Sequence, residues 1–178
     1  AGIRFTITKE TQDSFYAIFE LCEELKVDKL YISHLVYSGR GKDNLEIDIS
    51  KKKKKKYVEF IIDKAFEYYK NGNNIDLVTG NMEMDAIMLL NRFKKEYPEF
   101  VETLEQKLKA WGGNSAGHRL GNMDWAGNVK PDPFFPFVVG NYLQTPFDEI
   151  WTSSKNDILN KLREHPRQIK GRCAQCKY

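Results

Sequence analysis

Three short segments of alternating apolar and polar residues, each followed by an amphipathic helical pattern, occupy residues 3–111, and this order constrains the fold more than any other feature of the chain. Residues 3–8 set Ile3, Phe5 and Ile7 against Arg4, Thr6 and Thr8, as a strand does when one face packs under helices and the other meets a polar interior. Residues 12–25 place Phe15, Ile18, Phe19, Cys22 and Leu25 on one helical stripe. The second strand spans residues 30–36 and closes in the loop Ser38-Gly39-Arg40-Gly41. A helix capped by Ser50 then carries Val58, Ile61, Ile62, Ala65 and Tyr69 at helical spacing. The third strand covers residues 75–79, followed by helices over residues 84–95 and 98–111. Strands that alternate with helices through short loops form a parallel sheet with right-handed crossovers, so the predicted class is α/β.

The run Lys51 to Lys56 sits in the first turns of the middle helix. Its simplest reading is a solvated surface whose cations oppose the helix dipole and fray the first turn; the other is an electrostatic guide for a carboxylated substrate. Hydrophobic residues make up 41% of the 178 and charged residues 30%, an ordinary globular balance. No apolar run approaches the roughly 20 residues that cross a bilayer, and no signal sequence stands at the start, so no membrane partner and a cytoplasmic location are expected. A net charge of +3 is too small to argue for a nucleic-acid partner, and three cysteines make no disulfide framework.

The last third is built differently. Gly112-Gly113-Asn114-Ser115-Ala116-Gly117 is a turn cluster, and residues 118–125 alternate as a short strand does. Ala126-Gly127-Asn128 turns the chain into Val129-Lys130-Pro131-Asp132, a hairpin whose return strand is expected at a sheet edge because Pro131 has no N–H to donate. Thr145 is the expected N-cap of a helix with Pro146 at its first position and acidic residues in its first turn. A final helix over residues 157–163 precedes Cys173-Ala174-Gln175-Cys176. A CxxC pair suits zinc, a redox dithiol or half of an iron–sulfur site. No thioredoxin-like unit precedes it, and zinc would need two further ligands, of which His165 is the one obvious nearby residue.

Those residues carry a resemblance. The order "NxxG, strand, DxxGNVxPD, GNxxxxPFxEIW, GxCxxC" resembles the SPASM or twitch extension of radical S-adenosylmethionine enzymes. Together with Tyr37-Ser38-Gly39-Arg40-Gly41 and Trp111-Gly112-Gly113-Asn114, it resembles the tetrapyrrole-modifying branch, which makes d1-type heme or makes heme from siroheme. The resemblance implies that residues 1–110 are the C-terminal half, three β/α units, of a partial radical-SAM barrel. It implies that residues 111–178 are a truncated SPASM/twitch-like α+β extension with a β-hairpin. The cofactors implied are S-adenosylmethionine and 4Fe-4S clusters, and the partner is a small-molecule tetrapyrrole substrate.

Two departures from the family pattern matter. Asn114 and Asp132 stand where the pattern has cysteines, so an auxiliary cluster would rest on Cys173, Cys176 and cysteines outside this chain, with Asp132 as an oxygen ligand. The CxxxCxxC loop of the radical-generating cluster is not in the sequence, so the chain is expected to be a C-terminal portion of a longer enzyme, inactive alone. A barrel divided there would expose its first strand, and self-association through that edge is expected.

Parallel β/α sheets gather their chemistry at the carboxyl ends of the strands, and the resemblance implies that polar residues there contact the cofactor. Thr6, Thr8, His34, Ser38 and Arg40 are the candidates for S-adenosylmethionine, and Arg40, Asn81 and Asn114 for the substrate. A guanidinium between glycines suits a carboxylate arm. Each has a plain counterpart: threonine favours strands, a histidine among apolar neighbours is commonly structural, and Arg40 also fits an exposed turn. His118 and His165 are expected at the surface. Two other functions fit the sequence: a radical-SAM peptide maturase sharing the same ending, and a non-catalytic metal-binding or assembly module.

Overall fold

A computed structural model describes residues 1–80 and 82–176, with Arg40 described through its backbone alone. The chain is mixed α/β, with one parallel and one antiparallel sheet, and divides into two compact units, Ala1–Glu105 and Gln106–Tyr178.

In the first unit β1 (Gly2–Ile7), α1 (Ala17–Glu24), β2 (Lys29–His34), α2 (Lys51–Lys70), β3 (Asp76–Gly80) and α3 (Met84–Glu96) follow in sequence. The strands lie in the order β1-β2-β3, all parallel, with Ile3 beside Leu30 and Leu30 beside Leu77. Ile7, Leu30 and Ile32 meet Phe15, Phe19 and Cys22 from α1 and its approach, and Tyr57 and Ile61 from α2, in one buried core. The Phe15 ring centroid lies 4.1 Å from that of Tyr57 and 5.5 Å from that of Phe19. Side chains buried this fully each contribute about 1.5–3 kcal/mol.

Several apolar positions differ from the periodic expectation. The pattern over residues 12–25 splits into a 3-10 turn, Gln12–Ser14, and then α1. Leu25 caps α1 and is exposed; Lys26 takes a positive φ of 50°, and Val27 enters the core instead. Along α2 the buried stripe runs from Ile61 to Tyr68, leaving Ala65 and Tyr69 exposed. The Tyr68 hydroxyl donates to Glu23 Oε1 at 2.6 Å, so an amphipathic ring lines the edge of the core where an aliphatic residue would not serve. Ser50 caps α2 as expected, its hydroxyl accepting from the Lys53 N–H at 3.3 Å.

The chain passes into the second unit within α4 (Val101–Trp111). There β4 (Asn122–Met123), β5 (Asn128–Lys130) and β6 (Gly140–Asn141) form an antiparallel sheet, followed by α5 (Phe147–Thr152) and α6 (Asp157–Arg163). The hairpin is present, but β5 is the central strand rather than an edge. Pro131 falls just past the strand, where its missing N–H costs no ladder bond and its carbonyl accepts from the Gly117 N–H at 2.9 Å. The strand expected over residues 118–125 shrinks to β4, because residues 118–120 turn back with their N–H groups on the Ser115 carbonyl. Pro146, not Thr145, is the residue before α5; the Thr145 N–H is taken by the Asn141 carbonyl at 3.0 Å.

Gly121 and Gly140 of this unit are packing positions. A Cβ on Gly140 would meet Ile150 Cγ2 at 2.7 Å, and one on Gly121 would meet Trp151 Cη2 at 2.9 Å. Asp124, Asn128 and Asn141 stitch the hairpin. The Asp124 carboxylate accepts from the Ala126 and Asn128 N–H groups and from Asn128 Nδ2, and Asn141 Nδ2 donates to the Ala126 carbonyl and Asn128 Oδ1. Those hydrogen bonds, led by the Asn128 side chain, hold the Asp124 carboxyl below its ordinary pKa.

Candidate functional site

The carboxyl ends of the parallel strands gather the buried polar side chains Thr8, Ser33 and His34. Register places Thr6 beside Ser33 and Ile7 beside His34. The Thr6 and Ser33 hydroxyls meet at 2.8 Å, and Ser33 Oγ also donates to the Phe5 carbonyl at 3.4 Å. One residue past β1, Thr8 is buried; its N–H donates to Thr11 Oγ1 at 2.9 Å, and Thr11 Oγ1 donates to the Thr6 carbonyl at 2.7 Å.

His34 ends β2 and is 2% exposed. Its Nε2 lies 2.9 Å from Asp85 Oδ2 and 3.2 Å from Oδ1, and Asp85 is itself 6% exposed. Asp85 sits in the first turn of α3, where the helix dipole favours a carboxylate. The short connection from β3 to α3 brings that turn to the end of β2.

Beyond β2, Tyr37 donates to Asp48 Oδ2, and Lys54 Nζ reaches the same oxygen at 2.5 Å. Burial would raise the Asp48 pKa, but hydrogen bonds from Lys54 and Tyr37 prevail and hold it below its ordinary value. The hydrogen bond to Asp48 raises the Tyr37 pKa in turn. Lys54 is thus a buried member of the lysine run, an exception to its solvated reading.

Ser38 precedes a 3-10 stretch, Gly39–Ile47, where a simple loop was expected. A Cβ on Gly41 would lie 1.9 Å from the Val36 carbonyl oxygen, so the close approach at this glycine is to the chain itself rather than to open space. The side chain of Arg40, and Asn81 as a whole, lie outside the described residues.

In the second unit Asn114 is exposed and its Oδ1 accepts from the Ala116 N–H at 2.7 Å; Asp132 is buried and its Oδ1 accepts from the Phe134 N–H at 2.7 Å. Both close side-chain turns. Cys173 and Cys176 are exposed, free, and joined by a Cys176 N–H to Cys173 carbonyl bond of 3.2 Å about the turn Gly171–Gln175. Among the described residues no group of three or more His, Cys, Asp or Glu is placed to hold a metal ion. His118 and His165 are exposed.

Sequence reasoning missed Asp85 and Ser33. An acidic residue opening a helix right after a strand was the available signal for Asp85; for Ser33 none existed, because only sheet register sets it beside Thr6. A groove of about 600 Å³ lies elsewhere, between α2 and α3, lined by lysines and glutamates of mixed sign together with Arg92, and it includes none of the strand-end residues.

Across 98% of its length the chain is 39% identical to a pre-heme d1 synthase of Dinoroseobacter shibae, covering 44% of that protein. It is 33% identical over 99% of its length to an Fe-coproporphyrin III synthase of Methanosarcina barkeri, covering 45%, and 26% identical to an AdoMet-dependent heme synthase of the same organism, covering 48%. The chain is related to the AdoMet-dependent heme synthases. It spans just under half the length of these relatives, and the resemblance to the tetrapyrrole branch is borne out. No family model matches the chain, and no solved structure does. No described helix of this heme-synthase relative is long and apolar enough to cross a membrane.

Proposed function

We propose that the chain is part of a radical S-adenosylmethionine enzyme that modifies side chains of a siroheme-derived tetrapyrrole. The observation that carries this reading is the 39% identity to a pre-heme d1 synthase, sustained over 98% of the chain. Parallel β1-β2-β3 with helical crossovers supports the later half of a partial barrel, and the antiparallel hairpin unit supports a SPASM-like extension.

Thr6, Thr8, His34, Ser38 and Arg40 are proposed to serve S-adenosylmethionine, and Arg40, Asn81 and Asn114 the substrate. The paired hydroxyls of Thr6 and Ser33 fit a ligand rich in hydroxyl, amino and carboxylate groups, since each hydroxyl both donates and accepts. When bound, S-adenosylmethionine would supply the hydrogen-abstracting chemistry of the radical family. The His34–Asp85 pair would fix the end of β2 and hold its imidazole in one orientation. Two exposed cysteines do not complete a 4Fe-4S site, and Asp132 Oδ1 is taken by the Phe134 N–H, so an auxiliary cluster would need further ligands. β1 is an edge of its sheet among the described residues, which keeps self-association through β1 an expectation for light scattering.

The test is anaerobic incubation of the full-length gene product with S-adenosylmethionine, a reductant and siroheme-derived substrates, read by mass spectrometry of the tetrapyrrole. Loss of side-chain mass with consumption of S-adenosylmethionine is expected; an unchanged tetrapyrrole with turnover of a peptide substrate would replace this reading with the maturase.

A further inference from the structure

The second unit carries a charged cleft that the reading above does not use. The turn after α4 and the segment after α6 enclose about 320 Å³. The charged groups that line it are of one sign: Lys109, Arg119 and Arg167, with His118 and His165 beside them and no Asp or Glu. Lys109 has a structural explanation, since a cation in the last turn of α4 complements the helix dipole. That explanation does not extend to the others, which come from two separate segments.

Local structure sets these groups in place. Arg167 Nε donates to the Leu162 carbonyl at 2.8 Å and a terminal nitrogen donates to the Asn114 carbonyl at 2.5 Å, which uses two of the five N–H donors of a guanidinium. The His118 and His165 rings meet nearly edge to face, with centroids 5.5 Å apart. Gly112 takes a left-handed φ of 71° in the turn, with His165 Cε1 at ordinary contact distance, 3.5 Å from where a Cβ would lie. Trp111, 55% exposed, adds an aromatic wall. Arg119 and Arg167 reach this cleft from separate segments, and the lining holds no carboxylate, so an anion seated between them would accept several charge-assisted hydrogen bonds. The volume lies at the low end of the roughly 300–1,000 Å³ of small-molecule sites, the size for one arm of a ligand rather than a whole macrocycle.

We propose that this cleft is a carboxylate-binding subsite that takes one acidic side arm of the tetrapyrrole, with Trp111 offering its face to the adjoining ring. The tetrapyrrole part rests on the function proposed above; the carboxylate part rests on the cleft alone.

The experiment titrates the full chain with coproporphyrin III, with its methyl ester, and with citrate as a carboxylate that is no tetrapyrrole, the last followed by NMR of the His118 and His165 rings. The exposed Arg119 is varied to Glu and to Lys. Expected are tighter binding of coproporphyrin III than of its ester, a loss on the order of tenfold in Arg119→Glu for the acid but not the ester, and recovery in Arg119→Lys. Equal binding of coproporphyrin III by wild type and Arg119→Glu overturns the subsite and leaves the tetrapyrrole reading standing. Citrate shifting the histidine signals in wild type alone, with no porphyrin bound, supports the carboxylate site and removes the tetrapyrrole. Neither ligand binding overturns the subsite.

Discussion

Asp85, in the first turn of α3, holds both carboxylate oxygens within 3.2 Å of His34 Nε2 at the end of β2, and both side chains are buried. A helix start and a strand end separated by 51 residues are thereby fixed to each other at the level where parallel sheets carry their chemistry. Removing one partner of such a pair strands the other in a low dielectric. Asp85→Ala is expected to cost about 3 kcal/mol, and Asp85→Asn, which retains an acceptor, less than half of that. Urea unfolding midpoints at constant m-value check the order of the two variants.

The lysine run makes a sharper contrast. Lys54 is buried against Asp48, whereas Lys52 is exposed. Lys54→Met is expected to destabilise by about 1–3 kcal/mol and Lys52→Ala by no more than about 0.5. The Asp48 carboxyl has a lower pKa folded than unfolded, so its contribution is complete above the ordinary carboxylate value, near 3.9, and disappears as pH falls through the lowered folded value. Stability of Asp48→Asn should accordingly fall less steeply than wild type in acid, as measured by chemical denaturation between pH 5 and 2.

Gly140 lies against three carbons of Ile150, the nearest of them 2.7 Å from where a Cβ would be. Gly140→Ala is expected to cost about 1–3 kcal/mol by overpacking. In an Ile150→Ala background the same change should cost clearly less, because the crowded atoms are gone. A double-mutant cycle on thermal midpoints reads this coupling, and strict additivity would show that the contact is not what makes the glycine necessary.

Cys173 and Cys176 are exposed, and Cys22 is wholly buried with its thiol pKa pushed up, first by burial and then by the neighbouring Glu23 charge. In the native chain two thiols should react quickly with a disulfide reagent at pH 8 and the third only on unfolding. Three fast thiols would mean that α1 does not seal the core around Cys22.

The alternation of Ile3, Phe5 and Ile7, the stripe of Phe15, Phe19 and Cys22, and the Ser50 cap were legible because period and cap chemistry are local properties of neighbouring residues. The hairpin at Gly127 and the helix Asp157–Arg163 were legible for the same reason. Local rules failed where a neighbour distant in sequence decides. Tyr68 is buried in place of Tyr69 because Glu23 receives its hydroxyl, and β5 is central because β6 arrives on its other side.

By itself, then, the sequence determined the alternation of strands and helices in the first unit, the hairpin turn at Gly127 and the kinship with heme synthases, all of which are written in adjacent residues or in motifs. Only the tertiary structure decided that Asp85 meets His34, that Ser33 meets Thr6, that Lys54 is buried, and that cations from residues 109–119 and 165–167 share one cleft. Those relationships depend on sheet register and helix docking, which are set by the summed burial of the core rather than by any residue's own preference.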